Sequence, residues 1–313
     1  MINRDVWILD KEKSWVAGIV INCDDTNGTI TVQDIETKEI KLLNQLQVLD
    51  RDYKTGDIDD LINLSHLHEA SILHSLKFRY SNDIIYTNNG PILIAINPFK
   101  KLNCYDDLNS TQTSPHVYAV AQKALDNLKK FNKNQTILAS GESGSGKTMT
   151  TKFILNYFAN AKSTIQDLVI MSNPLLEAFG NAKTIMNDNS SRFGKFIKLD
   201  FNNNYEMSGG TITTYLLEKI RIIKQNKNER NFHIIYQMFH GSTTEEKKRW
   251  MLLNDLSKYK LISNPNILTR NDNIDDAEEW IQTLNSMESL DFSFEEKERI
   301  FTFLSGILML GNA

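Results

Sequence analysis

At 313 residues, 41% of them hydrophobic, the chain is long enough for about two domains of ~150 residues and for a sizeable core. Its net charge of −4 argues against an electrostatic nucleic-acid binder. No apolar signal region follows Met1, and the apolar stretch Phe301 to Leu310 is too interrupted and too short to span a bilayer.

Residues 5 to 49 are expected to be a small all-β unit. Val6–Ile8, Trp15–Ile21, Thr29–Val32 and Glu39–Leu43 are short, β-branched and aromatic runs separated by turn signals, which suggests a small barrel or sandwich. A polar link at 50–57 follows, and the spacing of Leu61, Leu64, Leu67, Ile72 and Leu76 predicts a helix. His66, His68 and His74 lie in that stretch without the partners of a metal site. Cys23 and Cys104 form no metal-ligand spacing and read as free thiols in a reducing, cytoplasmic setting. Ile84–Thr87 and Ile92–Ile96 read as strands around an Asn-Asn-Gly-Pro turn, and the second leads into the loop Asn97 to Tyr105. Helical spacing resumes over 116–131.

The stretch 136–148, Thr-Ile-Leu-Ala-Ser-Gly-Glu-Ser-Gly-Ser-Gly-Lys-Thr, carries the most chemistry. Gly141, Gly146, Lys147 and Thr148 satisfy G-x-x-x-x-G-K-[ST] at every fixed position. Ile137-Leu138-Ala139 reads as a strand buried on both faces, and Met149, Phe153 and Tyr157 predict a helix with one apolar face. Strand, glycine loop and helix N-terminus bring backbone N–H groups and a positive dipole end to a phosphate. In such a loop Lys147 reaches the β- and γ-phosphates and Thr148 gives its hydroxyl to Mg²⁺. The residues therefore point to a nucleoside-triphosphate site.

Further on, Ser190-Ser191-Arg192 supplies a Mg²⁺ ligand, a proton-relaying hydroxyl and a bidentate cation, the groups a γ-phosphate needs. Strands are expected at Phe196–Phe201 and Thr211–Leu217, helices at Ile222–Gln225 and Phe232–Phe239, and charged helical sequence over 242–300.

Several motifs together resemble one family. Gly-Glu-Ser-Gly-Ser-Gly-Lys-Thr at 141–148 resembles the phosphate loop of myosin motor heads, and Asn-Pro-Leu-Leu-Glu-Ala-Phe-Gly-Asn-Ala-Lys-Thr at 173–184 the stretch before their first switch. Asn187 to Lys195 is similar to that switch. Tyr-Leu-Leu-Glu-Lys at 215–219 and Glu-Arg-Asn-Phe-His at 229–233 are similar to the elements that follow it. Asn97, Pro98 and Tyr105 match the adenine loop, and the first fifty residues resemble the SH3-like barrel that opens many such heads. A kinesin-like motor shares Asn-x-x-Ser-Ser-Arg but not the Phe193-Gly194-Lys195 that follows, and no Asn-Lys-x-Asp segment supports a GTPase.

The resemblance implies an α/β fold: a P-loop NTPase core with a mixed central sheet flanked by helices (53–313), preceded by an SH3-like barrel (1–52). It implies an actin-based motor ATPase using ATP and Mg²⁺. Gly141, Glu142, Ser143, Gly144, Ser145, Gly146, Lys147 and Thr148 would hold phosphates, Asn187 would touch phosphate, and Thr148 and Ser191 would hold Mg²⁺. Asn97, Pro98, Lys101 and Tyr105 would line the purine pocket. Ser190 would lie beside the attacking water, and Ser190, Arg192 and Lys147 would form the catalytic set. Implied partners are an actin filament and, given a neck beyond these residues, light chains, with a cytoskeletal location. The family's second switch, Asp-x-x-Gly with a glutamate, has no counterpart in context, since the only Asp-x-x-Gly is Asp25 to Gly28. An incomplete head is thus expected, with the phosphate-loop strand unpaired at an edge, Arg192 without its carboxylate, and poor hydrolysis. The alternative is a truncated, non-motor nucleotide-binding or scaffold protein.

Overall fold

The computed structural model describes residues 2–24, 26–51, 56–105, 114–158 and 164–313, so the middle of the expected link at 50–57 lies outside the described residues. By packing, the chain falls into two units, Met1–Lys123 and Ala124–Ala313, each with its own buried cluster.

In the first unit, β1 (Asp5–Asp10), β2 (Ser14–Asp24), β3 (Thr29–Asp34), β4 (Ile40–Asn44) and β5 (Val48–Asp50) form one antiparallel sheet in the order β4-β3-β2-β1-β5. Alternation decides which face is covered: Ile30 and Val32 of β3 pack with Val6, Ile8, Val16 and Val20, while their neighbours in sequence turn outward. The strand β5 was too short to be read from sequence. The predicted helix over 61–76 is split. Residues Leu61–Asn63 make a single 3-10 turn, and the helix α1 (Glu69–Ser81) starts where the His68 ring accepts the Ser71 N–H at its N-terminus. The hairpin of β6 (Tyr86–Asn89) and β7 (Ile92–Ala95) forms, its first strand starting two residues later than expected and running into the Asn88-Asn89 pair. Arg79 of α1 is buried, donates to the Tyr86 carbonyl and pairs with Asp57.

In the second unit, α3 (Lys147–Phe158) follows the glycine loop and α4 (Thr164–Gly180) leads into β8 (Asn181–Ala182). The short strand β9 (Ser190–Ser191) pairs with β8, and β10 (Gly194–Phe201) with β11 (Met207–Tyr215). The helices α5 (His233–Gly241), α6 (Thr244–Arg249), α7 (Asp276–Ser289) and α8 (Phe294–Leu310) enclose the larger core. There Trp280 meets Trp250 and Phe301 at ring-centroid separations of 6.2 and 4.7 Å. Capping boxes of Thr243 with Glu246, and Ser293 with Glu296, fix the starts of α6 and α8. The preceding helix, α2 (Val117–Phe131), matches its predicted span. Among the described residues no helix is long and apolar enough to cross a membrane.

Two expectations fail. Ile137-Leu138-Ala139 is not a buried strand: residues 136–139 have no ladder partner among the described residues, and Leu138 is 85% exposed. Among the described residues the strands form one five-stranded sheet and three two-stranded ones. An apolar run is buried only when neighbours occupy both edges and both faces, and sequence pattern alone does not supply them. The buried face of α3 is also rotated. Ile154 and Leu155 are covered, whereas Met149, which began the predicted apolar stripe, is 52% exposed.

His233 adds a pH term to this unit. It is buried, neither ring nitrogen has a partner among the described residues, and burial, then the positive charges of Arg270 and Arg230, hold its pKa well below the ordinary value. The unfolded chain therefore takes up a proton below about pH 6.5 that the folded state refuses, so stability falls as pH drops below that value, by about 1.4 kcal/mol per unit. Chemical unfolding from pH 7 to pH 5 should show this slope, reduced by one proton in His233→Phe; an unchanged slope contradicts it. In the same assay Trp280→Ala should cost roughly 3–5 kcal/mol, while Leu138→Ser should change stability by less than about 0.5 kcal/mol.

Candidate phosphate-binding site

The loop 141–146 owes its shape to backbone conformations that side-chain-bearing residues avoid. Gly144 and Gly146 have φ of +82° and +91°. Lys147 opens α3 and folds back to donate from Nζ to the carbonyls of Gly141 (2.6 Å) and Glu142 (2.7 Å). The ammonium is thus held over the loop, next to the positive end of the helix dipole. The hydroxyl of Ser145 is buried inside the loop and has no partner among the described residues. A concave loop with a fixed ammonium, an unsatisfied hydroxyl and a helix N-terminus fits an anion with several oxygens.

A second loop reaches the first. Pairing of β8 with β9, in the register Asn181↔Ser191 and Ala182↔Ser190, folds residues 183–189 into a closed turn. Polar contacts fill it. Asn187 accepts the Asn189 N–H on Oδ1, Lys183 pairs with Asp188 at 2.7 Å, and Asn189 donates to Glu177 of α4 at 3.0 Å. A further contact ties Lys195 to Asn173 of α4 at 2.8 Å, and burial, only partly offset by Glu177, lowers the Lys195 pKa. The outcome is that Ser190, almost fully buried, lies with Oγ 2.8 Å from Oγ of Ser143 in the phosphate loop. Arg192 donates from Nη1 to the same Ser190 oxygen at 3.0 Å. Beside them Gly144 lies against Asn187, since a Cβ on Gly144 would be 3.7 Å from its side chain.

Arg192 finds a carboxylate other than the second-switch glutamate that the resemblance implies. Its Nε donates to Glu218 Oε2 at 2.5 Å. The Tyr-Leu-Leu-Glu-Lys motif marked this residue, but nothing in the sequence said that the end of β11 returns beside Arg192. The backbone makes the approach, with the Glu218 N–H donating to the Arg192 carbonyl at 2.9 Å. Burial pushes the Glu218 carboxyl up, but hydrogen bonds from Arg221 and Arg192 outweigh it and hold its pKa below the ordinary value.

The structure therefore brings together Ser143, Ser190 and Arg192 by direct hydrogen bonds, and Gly144 with Asn187 by proximity. Thr148 sits in the first turn of α3, and Ser191 on β9 is exposed. Asn97, Pro98, Lys101 and Tyr105 belong to the first unit. There Asn97 Oδ1 accepts the Phe99 N–H, and Pro98 and Lys101 continue the same loop. The Tyr105 hydroxyl bonds that of Tyr86 at 3.0 Å. The Tyr105 ring packs among Tyr86, His116 and Tyr118, where burial pushes its pKa up to about 12.

Residues 58–313 match the myosin head (motor domain) family. The chain belongs to that family. It is similar to Myosin-52 of Schizosaccharomyces pombe (34% identical, covering 98% of this chain and 22% of the relative) and to the Myosin-J heavy chain of Dictyostelium discoideum (38%, 98% and 16%). It is likewise similar to the Myosin IA heavy chain of Dictyostelium discoideum (43%, 83% and 28%). The chain thus spans less than a third of the length of these curated relatives.

The contact between Gly180 and Phe193 provides a test of how the myosin second loop is set. A Cβ at Gly180 would clash with the Phe193 ring, next to Arg192. Gly180→Ala should therefore destabilise the chain by about 1–3 kcal/mol, measured by urea unfolding; wild-type stability would show that the ring does not rest there.

Proposed function

We propose that the second unit is the MgATP-binding part of an actin-based motor ATPase. The observation that carries this reading is the Ser143–Ser190–Arg192 contact, which joins a phosphate loop to a loop bearing hydroxyls and a guanidinium. A metal-free anion site would need only the first of these loops. Two hydroxyls and a cation meeting its edge suit a terminal phosphate whose charge changes during transfer.

In this reading the loop from Gly141 through Glu142, Ser143, Gly144, Ser145 and Gly146 binds the phosphates through its amides, with Lys147 as point charge. Lys147 must then exchange its two carbonyl partners for phosphate oxygens. Thr148 and Ser191 would hold Mg²⁺, which when bound adds positive charge at the β- and γ-oxygens. Asn187 orients against the phosphate through its contact with Gly144. Ser190, whose oxygen accepts from Arg192, would take a proton from an attacking water and pass it on in this reading. Positioning and charge do most of this chemistry.

The same reading assigns Asn97, Pro98, Lys101 and Tyr105 to the purine and takes residues 1–52, with their five antiparallel strands, as an SH3-like barrel ahead of a head region at 53–313. A cytoskeletal location and actin as partner follow from the family, and light chains would require a neck region. The activity proposed for these residues is MgATP binding.

Calorimetry with ATP and Mg²⁺ on the 313-residue chain tests the reading. One Mg²⁺-dependent site is expected, weakened at least about tenfold in Lys147→Ala. Equal affinity in both proteins, or binding indifferent to Mg²⁺, would overturn it.

A further inference from the structure

The loop 97–105 leaves the β6–β7 hairpin at one end and comes back to it at the other. The hairpin register pairs Tyr86 with Ala95, and the Ile96 N–H donates to the Ile85 carbonyl at 2.9 Å, so the chain enters the loop from a fixed strand end. At the far end the Tyr105 hydroxyl lies 3.0 Å from that of Tyr86, on the neighbouring strand. Tyr86 is a firm post for this contact. It is buried, its strand is paired with β7, and its carbonyl accepts from Nη2 of the buried Arg79 at 2.9 Å. Burial, then the bond to Tyr105, pushes the Tyr86 phenol pKa above its ordinary value, and burial raises that of Tyr105 to about 12. Both hydroxyls are therefore neutral at about pH 7 and the bond between them persists.

Tyr105 is less committed. Its half-buried ring meets Tyr86, His116 and Tyr118 at centroid separations of 6.5, 5.7 and 6.3 Å, edge-on or tilted. Ring contacts of this kind are individually weak and tolerate small rotations. The hydroxyl sits at the tip of the side chain, the point that travels farthest when either torsion changes, so a directional bond there restrains both torsions. The Tyr86 hydroxyl thus fixes the ring, and with it the last residue of the loop. A loop presents side chains reproducibly when rigid elements hold both of its ends.

We propose that Tyr86 is a positioning residue for the purine base: its hydroxyl pins Tyr105 and so closes the loop 97–105 in the shape that receives the base. This rests on the reading of Asn97, Pro98, Lys101 and Tyr105 as the purine loop. Tyr86 is buried, touches no ligand and acts through the Tyr105 hydroxyl. Loss of the bond frees the Tyr105 ring, so the base is held less well while the phosphates are held as before.

The test measures binding, with Mg²⁺, of a non-hydrolysable ATP analogue and of inorganic tripolyphosphate, which carries phosphates without a base. Wild type, Tyr86→Phe, Tyr105→Phe and the double variant are compared, each as the 313-residue chain. Wild type should prefer the ATP analogue. Tyr86→Phe, which keeps the ring and removes the hydroxyl, should lose about fivefold for the analogue and less than about twofold for tripolyphosphate. In the Tyr105→Phe background the Tyr86→Phe change should have no further effect, because the partner hydroxyl is gone. Full preference for the analogue in Tyr86→Phe, equal loss for both ligands, or the same loss in both backgrounds overturns the proposal and leaves the purine reading standing. If Tyr86→Phe does not fold, Tyr105→Phe breaks the same bond from its half-buried side, and full preference there overturns the proposal in the same way. Wild type that binds both ligands equally overturns the purine reading and the proposal with it. Wild type that binds neither overturns the MgATP reading as well.

Discussion

Two hydroxyls 2.8 Å apart, on Ser143 and Ser190, join the phosphate loop to the second loop of the site. A hydrogen bond of this kind contributes only about 1 kcal/mol, too little to order two loops by itself. Its geometry depends on what stands behind each partner. On one side are the glycine conformations of 144 and 146 and the Lys147 fold-back. On the other are the β8–β9 pairing, the part-buried Lys183–Asp188 pair, the Asn189–Glu177 bond and the Arg192–Glu218 pair. Each is modest, and all bias the same arrangement. Consistency of that sort lets a polar site keep one shape.

Much of this was legible in the sequence because it is local. The glycine pattern at 141–146 requires positive φ wherever it occurs, Ser190-Ser191-Arg192 announces its chemistry by residue type, and alternation in β3 names its own buried face. Contacts distant in sequence were not legible. Glu218 lies 26 residues from Arg192 and meets it only because β10 and β11 form a hairpin that brings the chain back. Glu177 likewise reaches Asn189 because α4 runs directly into β8. Residue type suggested function in both cases, and topology chose the partner.

The segment 136–139 shows the opposite error. Its composition suits a strand covered on both faces, yet Leu138 stands exposed and the backbone lacks a ladder partner among the described residues. Burial belongs to the neighbours as much as to the residue, and hydrophobic pattern reports only one of the two. The glycine loop nevertheless keeps its conformation, because its turn geometry, the Lys147 contacts and α3 are set by residues within about a dozen positions. Phosphate-loop shape and sheet assembly are thus separable in this chain.

The central claim, that the second loop is locked against the phosphate loop by the protein's own contacts, is tested most directly by amide hydrogen exchange on the nucleotide-free chain. The Arg192 N–H donates to the Gly180 carbonyl at 2.8 Å, whereas Leu138 lies in a segment without a ladder partner among the described residues. The account predicts strong protection at Arg192 and Asn189, with exchange at Ile137 to Ala139 near the rate of an unfolded chain. Exchange at Arg192 as fast as at Leu138 would show that the second loop is not held, and would contradict it.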